Sequence, residues 1–363
     1  MNTDEIYMHR CLQLAELGAG SVAPNPMVGA VIIHNDRIIG EGYHQQYGQA
    51  HAEVNCISAV MRVDKHLVKD ATLYISLEPC AHFGKTPPCA DLILKHGIKK
   101  VVVGCRDPFA EVNGKGIEKL QSAGVDVQVG VLEEQCKELN KRFFTFHTAC
   151  RPYIILKWAQ THDGKIASLH QAHGTKRLRI SNALSNRIVH KWRSEEMAIL
   201  VGTNTALADD PELTTRLWPG KNPTRLVIDM DLQLPRTLKI FNESAPTIVF
   251  NLQQHTLPAG KFDFAALKNR GVMYYQVTED VNLVHQISNA LYQLNIQSAL
   301  IEGGAFLLQS FIDEGMWDEA RVITNQELVV GEGLPAPVLK DQQLSASEFL
   351  GSDIINYYKR LGS

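Results

Sequence analysis

The sequence predicts an α/β protein of two domains, and three observations lead there. The chain has 363 residues, which at ~150 residues per domain means roughly two of them. Its composition, 45% hydrophobic and 21% charged, is that of a folded globular protein and excludes a disordered or collagen-like chain. Along both halves, stretches with the alternating pattern of strands are interleaved with stretches carrying the longer period of helices, as in layered α/β folds.

In the first half, strands are expected over 28–33 and 37–42 around a His34-Asn35-Asp36 turn. A helix over 52–62, a strand over 72–77, a proline-rich loop, a helix over 90–96 and a strand over 100–104 follow. A helix over 116–123 and a strand over 125–129 extend the rhythm, so a mixed sheet with helices on its faces is expected. A helical run over 132–144 closes this half. The stretch from His147 to Pro152 separates that run from a new strand over 153–157, since proline favours extended backbone before it; the expected domains are 1–147 and 148–363. The second half continues with a helix over 182–193 and strands over 197–201, 224–229 and 247–250. A helix over 283–294, a strand over 298–302 and a helix over 306–314 complete it. No fixed-period repeat appears, so the halves read as different domains.

Charge and cysteine usage narrow the function. Lys plus Arg at 36 against Asp plus Glu at 39 leaves a net charge of −3, without the basic surplus that non-specific nucleic-acid binding requires. No apolar run approaches the ~18 residues of a membrane span, and the first residues carry neither a basic flank nor an apolar core. The expectation is a cytoplasmic protein with no nucleic-acid or membrane partner. The seven cysteines all lie between Cys11 and Cys150; an odd, scattered set in a long chain suits reduced thiols or metal ligands better than a disulfide framework.

One group of residues carries metal chemistry. His51 precedes the helix over 52–62 with Glu53 two residues on, and Cys80 and Cys89, each preceded by proline, fall at a strand end and a helix start. One imidazole and two thiolates suit zinc, and three protein ligands leave the fourth position to water, as in a catalytic site. Such a water loses a proton near neutral pH. Residues two apart on a helix point to nearly opposite sides, so His51 and Glu53 face one metal only if His51 lies in the irregular helix opening. Glu53 is then the proton shuttle, and Cys89 at a helix start is favoured as the thiolate. His-x-Glu followed by Pro-Cys-x-x-Cys is the signature of zinc deaminases acting on nucleobases. Here eight residues, 81–88, separate the cysteines instead of two. A purely structural zinc site with His82 as fourth ligand is the rival reading.

The surrounding motifs are more specific. Pro24-Asn25-Pro26-Met27-Val28-Gly29, Gly40-Glu41-Gly42-Tyr43-His44, His51-Ala52-Glu53 and the run from Glu78 to Cys89 closely resemble the deaminase domain of the bifunctional riboflavin-biosynthesis deaminase/reductase family. The resemblance continues over nearly the whole chain. In the second half it is carried by Leu156-Lys157-Trp158-Ala159, Asp163-Gly164-Lys165-Ile166-Ala167, the run from Ile199 to Arg216, and Ile301-Glu302-Gly303-Gly304. It implies a cytidine-deaminase-like three-layer domain followed by a dihydrofolate-reductase-like domain, with one Zn²⁺ per deaminase domain and NADPH as cofactors. It further implies that Asn25, His44, His82 and Lys85 line the pocket for a phosphorylated pyrimidine. In the reductase half it implies that Arg177, Arg193, Leu213, Arg216 and Glu302 surround the sugar-phosphate substrate, and the two arginines Arg193 and Arg216 suit bidentate capture of its phosphate. Ala159, Arg179, Thr205, Asp209, Met230 and Gly304 fall on the dinucleotide side. A homo-oligomer through the reductase domain is expected by the same resemblance.

The chain departs from the family pattern at Arg177-Leu178-Arg179, His162, Met230 and Gln326-Glu327, which are mostly cofactor-side positions. The reading is a bifunctional enzyme: hydrolytic deamination of a diamino-ribosylaminopyrimidinone 5′-phosphate, then NADPH reduction of the ribosyl group to ribityl. Lys157 and Asp163 are the candidates for polarising or protonating the opened sugar. Two rivals stay open: a nucleic-acid or free-nucleoside deaminase with an inert appendage, and a deaminase whose second half is a non-catalytic nucleotide-binding or assembly module.

Overall fold

Local hydrogen bonding starts the first helix. The Asn2 side chain accepts from the Glu5 N–H at 2.9 Å, and the Glu5 carboxylate accepts from the Asn2 N–H at 2.9 Å, a reciprocal cap that satisfies two otherwise orphaned donors. Helix α1 (Thr3–Glu16) follows; no helix was expected there. In the computed structural model of the chain, residues 2–83, 87–168, 178–257 and 271–362 are described. They divide into two units, Met1–Cys150 and Arg151–Ser363.

After α1 the first unit runs β1 (Gly29–His34), β2 (Arg37–Tyr43), α2 (Ala52–Ala59), β3 (Thr72–Leu77), α3 (Cys89–Lys95), β4 (Lys100–Cys105), α4 (Lys115–Ser122), β5 (Asp126–Val129), α5 (Glu133–Leu139) and α6 (Lys141–Ala149). The sheet order is β2-β1-β3-β4-β5, with β1 antiparallel to β2 and β3, and the last three strands parallel. Asn35 and Asp36 join β1 to β2 with φ of 47° and 58°, the left-handed pair that a two-residue hairpin turn requires. Alternation along the strands builds two cores. Ala30, Ile32, Leu73, Ile75, Val101 and Val103 pack with residues of α2, α3 and α4, while Val31, Ile33, Tyr74 and Val102 pack with α1 and Cys136 of α5. The result is three layers, helices on both faces of one sheet.

The helical run expected over 132–144 is two helices. They part at Asn140, whose buried side chain accepts from the Met27 N–H at 2.8 Å and donates to the Met27 carbonyl at 2.9 Å. A residue that bonds another segment's backbone in this way breaks the regular ladder.

The second unit runs β6 (Tyr153–Gln160), β7 (Lys165–Ser168), α7 (Ala183–Glu195), β8 (Ala198–Val201), α8 (Thr203–Asp209), β9 (Thr224–Ile228), β10 (Thr247–Asn251), β11 (Val272–Gln276), α9 (Leu283–Gln293), β12 (Ser298–Gly303), α10 (Ala305–Asp313), β13 (Glu319–Asn325), β14 (Gly333–Pro335), β15 (Gln342–Leu350) and β16 (Asp353–Arg360). Nine strands form one sheet in the order β11-β10-β9-β8-β12-β6-β13-β16-β15. All are parallel from β11 to β13; β16 and β15 add an antiparallel edge. Tyr153, Ile155, Ile199, Val227 and Leu300 pack with Val189 and Trp192 of α7, and the intervening Ile154, Leu156, Leu200, Leu226 and Ile301 are buried too. Strands covered on both faces read as the continuous apolar runs seen in the sequence.

A close helix–strand approach lies at Gly29. A Cβ there would meet the Cys11 carbonyl oxygen of α1 at 2.0 Å. Gly29→Ala should therefore push α1 off the sheet and cost about 3 kcal/mol by overpacking, read as a lower denaturant midpoint. An unchanged midpoint would mean that α1 is not packed on β1 at this distance.

Candidate active sites

Residues from three elements meet at one end of the first sheet. His51 is the N-cap of α2, with φ −73° and ψ 168° and no capping bond. Its extended backbone frees the ring from the helix, so His51 and Glu53 escape the opposition that regular helical geometry would impose. Cys80 follows β3 and Cys89 is the first residue of α3. His51 Nδ1 lies 3.7 Å from Cys80 Sγ and 3.3 Å from Cys89 Sγ, and the three ligand atoms all lie within 4.8 Å of one another. That set, one imidazole nitrogen and two sulfurs at mutual distances spanned by a tetrahedral ion, fits zinc.

The titration behaviour explains what the set lacks without a cation. A bond from the Cys89 thiol, working against burial, lowers Cys80 to about 4. The same bond, with burial, pushes Cys89 far up. Together the two thiols readily lose one proton and resist losing the second, as closely spaced like charges must. Glu53 is 3% exposed. Burial, and then the Cys80 charge, raises its carboxyl to about 6, within reach of a proton-shuttling role near neutral pH.

Pocket residues extend from this centre. His44 is buried; its Nδ1 donates to the Ala50 carbonyl at 3.0 Å, which leaves Nε2 to accept from the Asn25 amide at 3.1 Å. Burial lowers its pKa, so the ring stays neutral and Asn25 is held by it. The His44 and His51 rings meet edge-on at 5.5 Å. His82 packs its ring against Phe109 at 6.2 Å, and its Nδ1 is buried without a hydrogen-bond partner among the described residues. Lys85 lies outside the described residues.

In the second unit a cleft of about 1910 Å³ opens at the carboxyl ends of β6, β8, β9 and β12, the edge where parallel sheets bind ligands. It is larger than the ~300–1,000 Å³ of a usual single-ligand pocket, which suits a dinucleotide and a second ligand together. Ala159, Arg179, Thr205, Asp209, Met230 and Gly304 line it, as do Lys157, Arg193, Leu213, Arg216 and Glu302. Gly304 caps α10, and a Cβ there would crowd the Thr205 hydroxyl at 3.1 Å. A side chain at Gly304 would thus narrow the space between these two residues, where backbone can approach a phosphate closely. Arg177 lies outside the described residues.

Two expected site residues already have partners of their own. Arg193 is engaged by its neighbours: its Nε and Nη2 donate to both oxygens of Glu302 at 2.8 and 2.7 Å, and its Nη1 donates to the Thr214 carbonyl at 3.3 Å. Lys157 Nζ stands 3.7 Å from the same carboxylate. Burial alone would raise Glu302, but Arg193 and Lys157 outweigh it and lower the carboxyl to about 2. Arg216, half exposed and bonded to Glu212 and Thr214, is one of the more accessible cations lining the cleft. Asp163, in turn, is not among the cleft-lining residues. Its carboxylate accepts from the Thr161 hydroxyl at 2.6 Å and from the Val330 and Gly331 N–H groups at 3.2 and 2.8 Å. The Thr161 bond foremost lowers it to about 2. A carboxylate so occupied anchors a loop and holds no proton to give.

His190 was not singled out from the sequence. It lies one turn before Arg193 on α7, is 2% exposed and lines the cleft, and its Nδ1 has no partner among the described residues. Burial, then Arg193 and Arg216, lower it to about 4 from an ordinary 6.5. The His190-x-x-Arg193 spacing, which places both on one helix face, was the available signal.

Three variants separate these roles. Arg193→Ala strands Glu302 in a buried site and should cost about 3 kcal/mol of stability together with turnover in the second unit. Arg216→Ala should leave stability unchanged and weaken capture of an anionic substrate about tenfold. Thermal melts and substrate titrations check both; equal effects on stability would contradict the division of labour. For His190 the folded pKa lies below the unfolded one, so the unfolded state takes up its proton first and stability falls as pH drops from 6.5 toward 4. Denaturant melts at pH 7 and 5 should show a larger loss for the wild type than for His190→Gln.

Comparison with known proteins agrees with this geometry. Residues 1–105 match the cytidine and deoxycytidylate deaminase zinc-binding region, and residues 152–352 match the RibD C-terminal domain. The riboflavin biosynthesis protein RibD of Aquifex aeolicus is 42% identical over 98% of both chains. That of Bacillus amyloliquefaciens is 38% identical over 92% of this chain and 87% of its own. Among solved structures, a diaminohydroxyphosphoribosylaminopyrimidine deaminase/5-amino-6-(5-phosphoribosylamino)uracil reductase from Thermotoga maritima superposes with a TM-score of 0.85 at 36% identity over 98% of both chains. RibD of Acinetobacter baumannii does so with a TM-score of 0.84 at 30% identity, again over 98% of both. The two units thus have the cytidine-deaminase-like and dihydrofolate-reductase-like folds of those proteins, and the chain belongs to the RibD family of riboflavin biosynthesis proteins.

Proposed function

We propose that the chain is a bifunctional enzyme of riboflavin biosynthesis. Its first unit deaminates 2,5-diamino-6-ribosylamino-4-pyrimidinone 5′-phosphate hydrolytically, and its second reduces the ribosyl group of the product to ribityl with NADPH. What carries the reading is the meeting of His51, Cys80 and Cys89 beside the buried Glu53. The ion these residues would hold supplies a Lewis acid that makes water nucleophilic near neutral pH. Glu53, raised to about 6, takes a proton from the attacking water and returns it to the departing amine. The Asn25–His44 pair and His82 orient the ring.

In the second unit, NADPH supplies the hydride. Ala159, Thr205 and the Gly303-Gly304 turn would hold it in the cleft. Lys157, fixed by Glu302, is the residue we assign to polarise the opened sugar, in place of Asp163. Arg216 draws the substrate phosphate in. The Lys157–Glu302–Arg193 cluster, intact at the cleft, favours reductase activity over a merely nucleotide-binding or assembly role for this unit.

We further propose a homo-oligomer formed through the second unit. The edge strand β15 is exposed along nearly its whole length, and its Leu344 and Phe349 are 52% and 75% exposed, the kind of edge that a partner strand or a covering surface ordinarily protects. Among the described residues no helix is long and apolar enough to cross a membrane. The seven cysteines, none of them in a disulfide, support a reducing, cytoplasmic compartment.

The test supplies the phosphorylated diaminopyrimidine and NADPH to the full chain and reads ammonia release and NADPH oxidation separately. Both should occur. Glu53→Gln should keep its zinc yet lose ammonia release by about a hundredfold or more. Cys80→Ser should lose zinc and ammonia release but still oxidise NADPH when given the deaminated intermediate. Zinc loss in Glu53→Gln would make Glu53 a ligand, and absence of NADPH oxidation by the wild type would reduce the chain to a deaminase with a silent second unit.

A further inference from the structure

Directly after β3, two residues before Cys80, lies a buried acid that the deamination chemistry does not use. Glu78 is 4% exposed, and its carboxylate accepts four backbone N–H bonds. Asp107 and Gly114 donate to Oε2 at 3.2 and 2.9 Å, and Gly116 and Ile117 donate to Oε1 at 3.0 and 3.3 Å. These donors bracket the loop after β4 and the first turn of α4, so one side chain ties the whole connection to the end of β3. Packing closes the same joint: a Cβ on Gly116 would meet the Pro79 carbonyl oxygen at 1.9 Å.

The tethered loop reaches the pocket. Within it the Asp107 carboxylate accepts from the Phe109 N–H at 2.8 Å, which fixes the backbone where the Phe109 ring departs. That ring meets His82 edge-on at 6.2 Å and His147 at 5.0 Å. His82 follows Cys80 by two residues, and its buried Nδ1 has no hydrogen-bond partner among the described residues. Glu78 thus lies at the root of a chain of contacts that runs through the loop and Phe109 to a polar group placed to meet a ligand.

We propose that Glu78 is a positioning residue for the deaminase pocket: its hold on residues 107–117 sets Phe109 against His82 and thereby sets substrate affinity, leaving the metal ligands unaffected. The assignment rests on the deaminase reading. A carboxylate suits the task because it offers acceptors alone, whereas an amide of the same shape turns an NH₂ toward two of the four N–H groups.

The test uses the full chain with zinc bound and compares wild type, Glu78→Gln, Phe109→Leu and the double variant. It measures KM and kcat for ammonia release, zinc per chain, and amide hydrogen exchange over 107–117. Each single substitution should raise KM about tenfold with kcat nearly unchanged and zinc retained. Exchange should speed up in Glu78→Gln, and the double variant should be no worse than the weaker-binding single one, because both act on one contact chain. A role confined to stability would instead lower kcat through loss of folded enzyme and leave KM alone. That result, additive KM effects, zinc loss in Glu78→Gln or unchanged exchange would overturn the proposal. A wild type that releases no ammonia would sink the deaminase reading itself, and with it the link from Glu78 to affinity, even if exchange in Glu78→Gln rose.

Discussion

Two sulfurs and an imidazole nitrogen crowded into one partly buried site cannot all act as ligands unless a cation joins them, and the first unit is built around that constraint. The Cys89 thiol bonds to Cys80 and lowers it, and is itself pushed far up in return. A divalent ion held by His51, Cys80 and Cys89 would favour ionisation of both sulfurs. The surrounding architecture serves this meeting: Cys80 follows β3, α3 begins at Cys89, and the extended backbone at His51 lets a ligand and a proton shuttle sit two residues apart on one side. The three layers of helices and sheet exist in part to hold those chain ends at one edge.

The second unit solves a different electrostatic problem. A buried carboxylate, Glu302, is kept ionised by a bidentate arginine and a lysine. Leaving any one of the three unpaired would be costly in so dry a place, whereas together they hold the lysine in a fixed position at the cleft. Neutral His190 fills the space beside them without adding a third buried cation. The cleft therefore offers a positioned Lys157 and an accessible Arg216, and these two carry different duties.

Much of this was readable from the chain because the chemistry is local in sequence. Strands covered on both faces, such as 72–77 and 298–302, announce themselves as apolar runs, and His51-Ala52-Glu53 with two Pro-Cys pairs states its ligand set. What escaped was set by distant contacts or by surface. Helix α1 rests on an Asn2–Glu5 cap and on apolar contacts with strands far along the chain. The break at Asn140 depends on Met27, 113 residues away. Strand β15 is exposed along almost all its length and so shows no burial alternation at all. Asp163 sits in a motif shared with the family, yet whether its carboxylate is free depends on Val330 and Gly331, far along the chain. The expected pairing of Arg193 with a phosphate likewise ignored Glu302, a competitor 109 residues away.

The most direct test of the constraint at the first site is spectroscopic. Cobalt(II) substituted for zinc in the full chain should bind at one equivalent. It should show the intense visible bands of a tetrahedral ion and a thiolate charge-transfer band, both absent from Cys80→Ser and Cys89→Ser. Because three protein ligands converge among the described residues, a small exogenous ligand such as azide should shift the bands. The weak spectrum of an octahedral ion, or a tetrahedral spectrum that azide leaves untouched, would show a site without these two sulfurs or closed by a fourth side chain, and would contradict an open catalytic centre built from His51, Cys80 and Cys89.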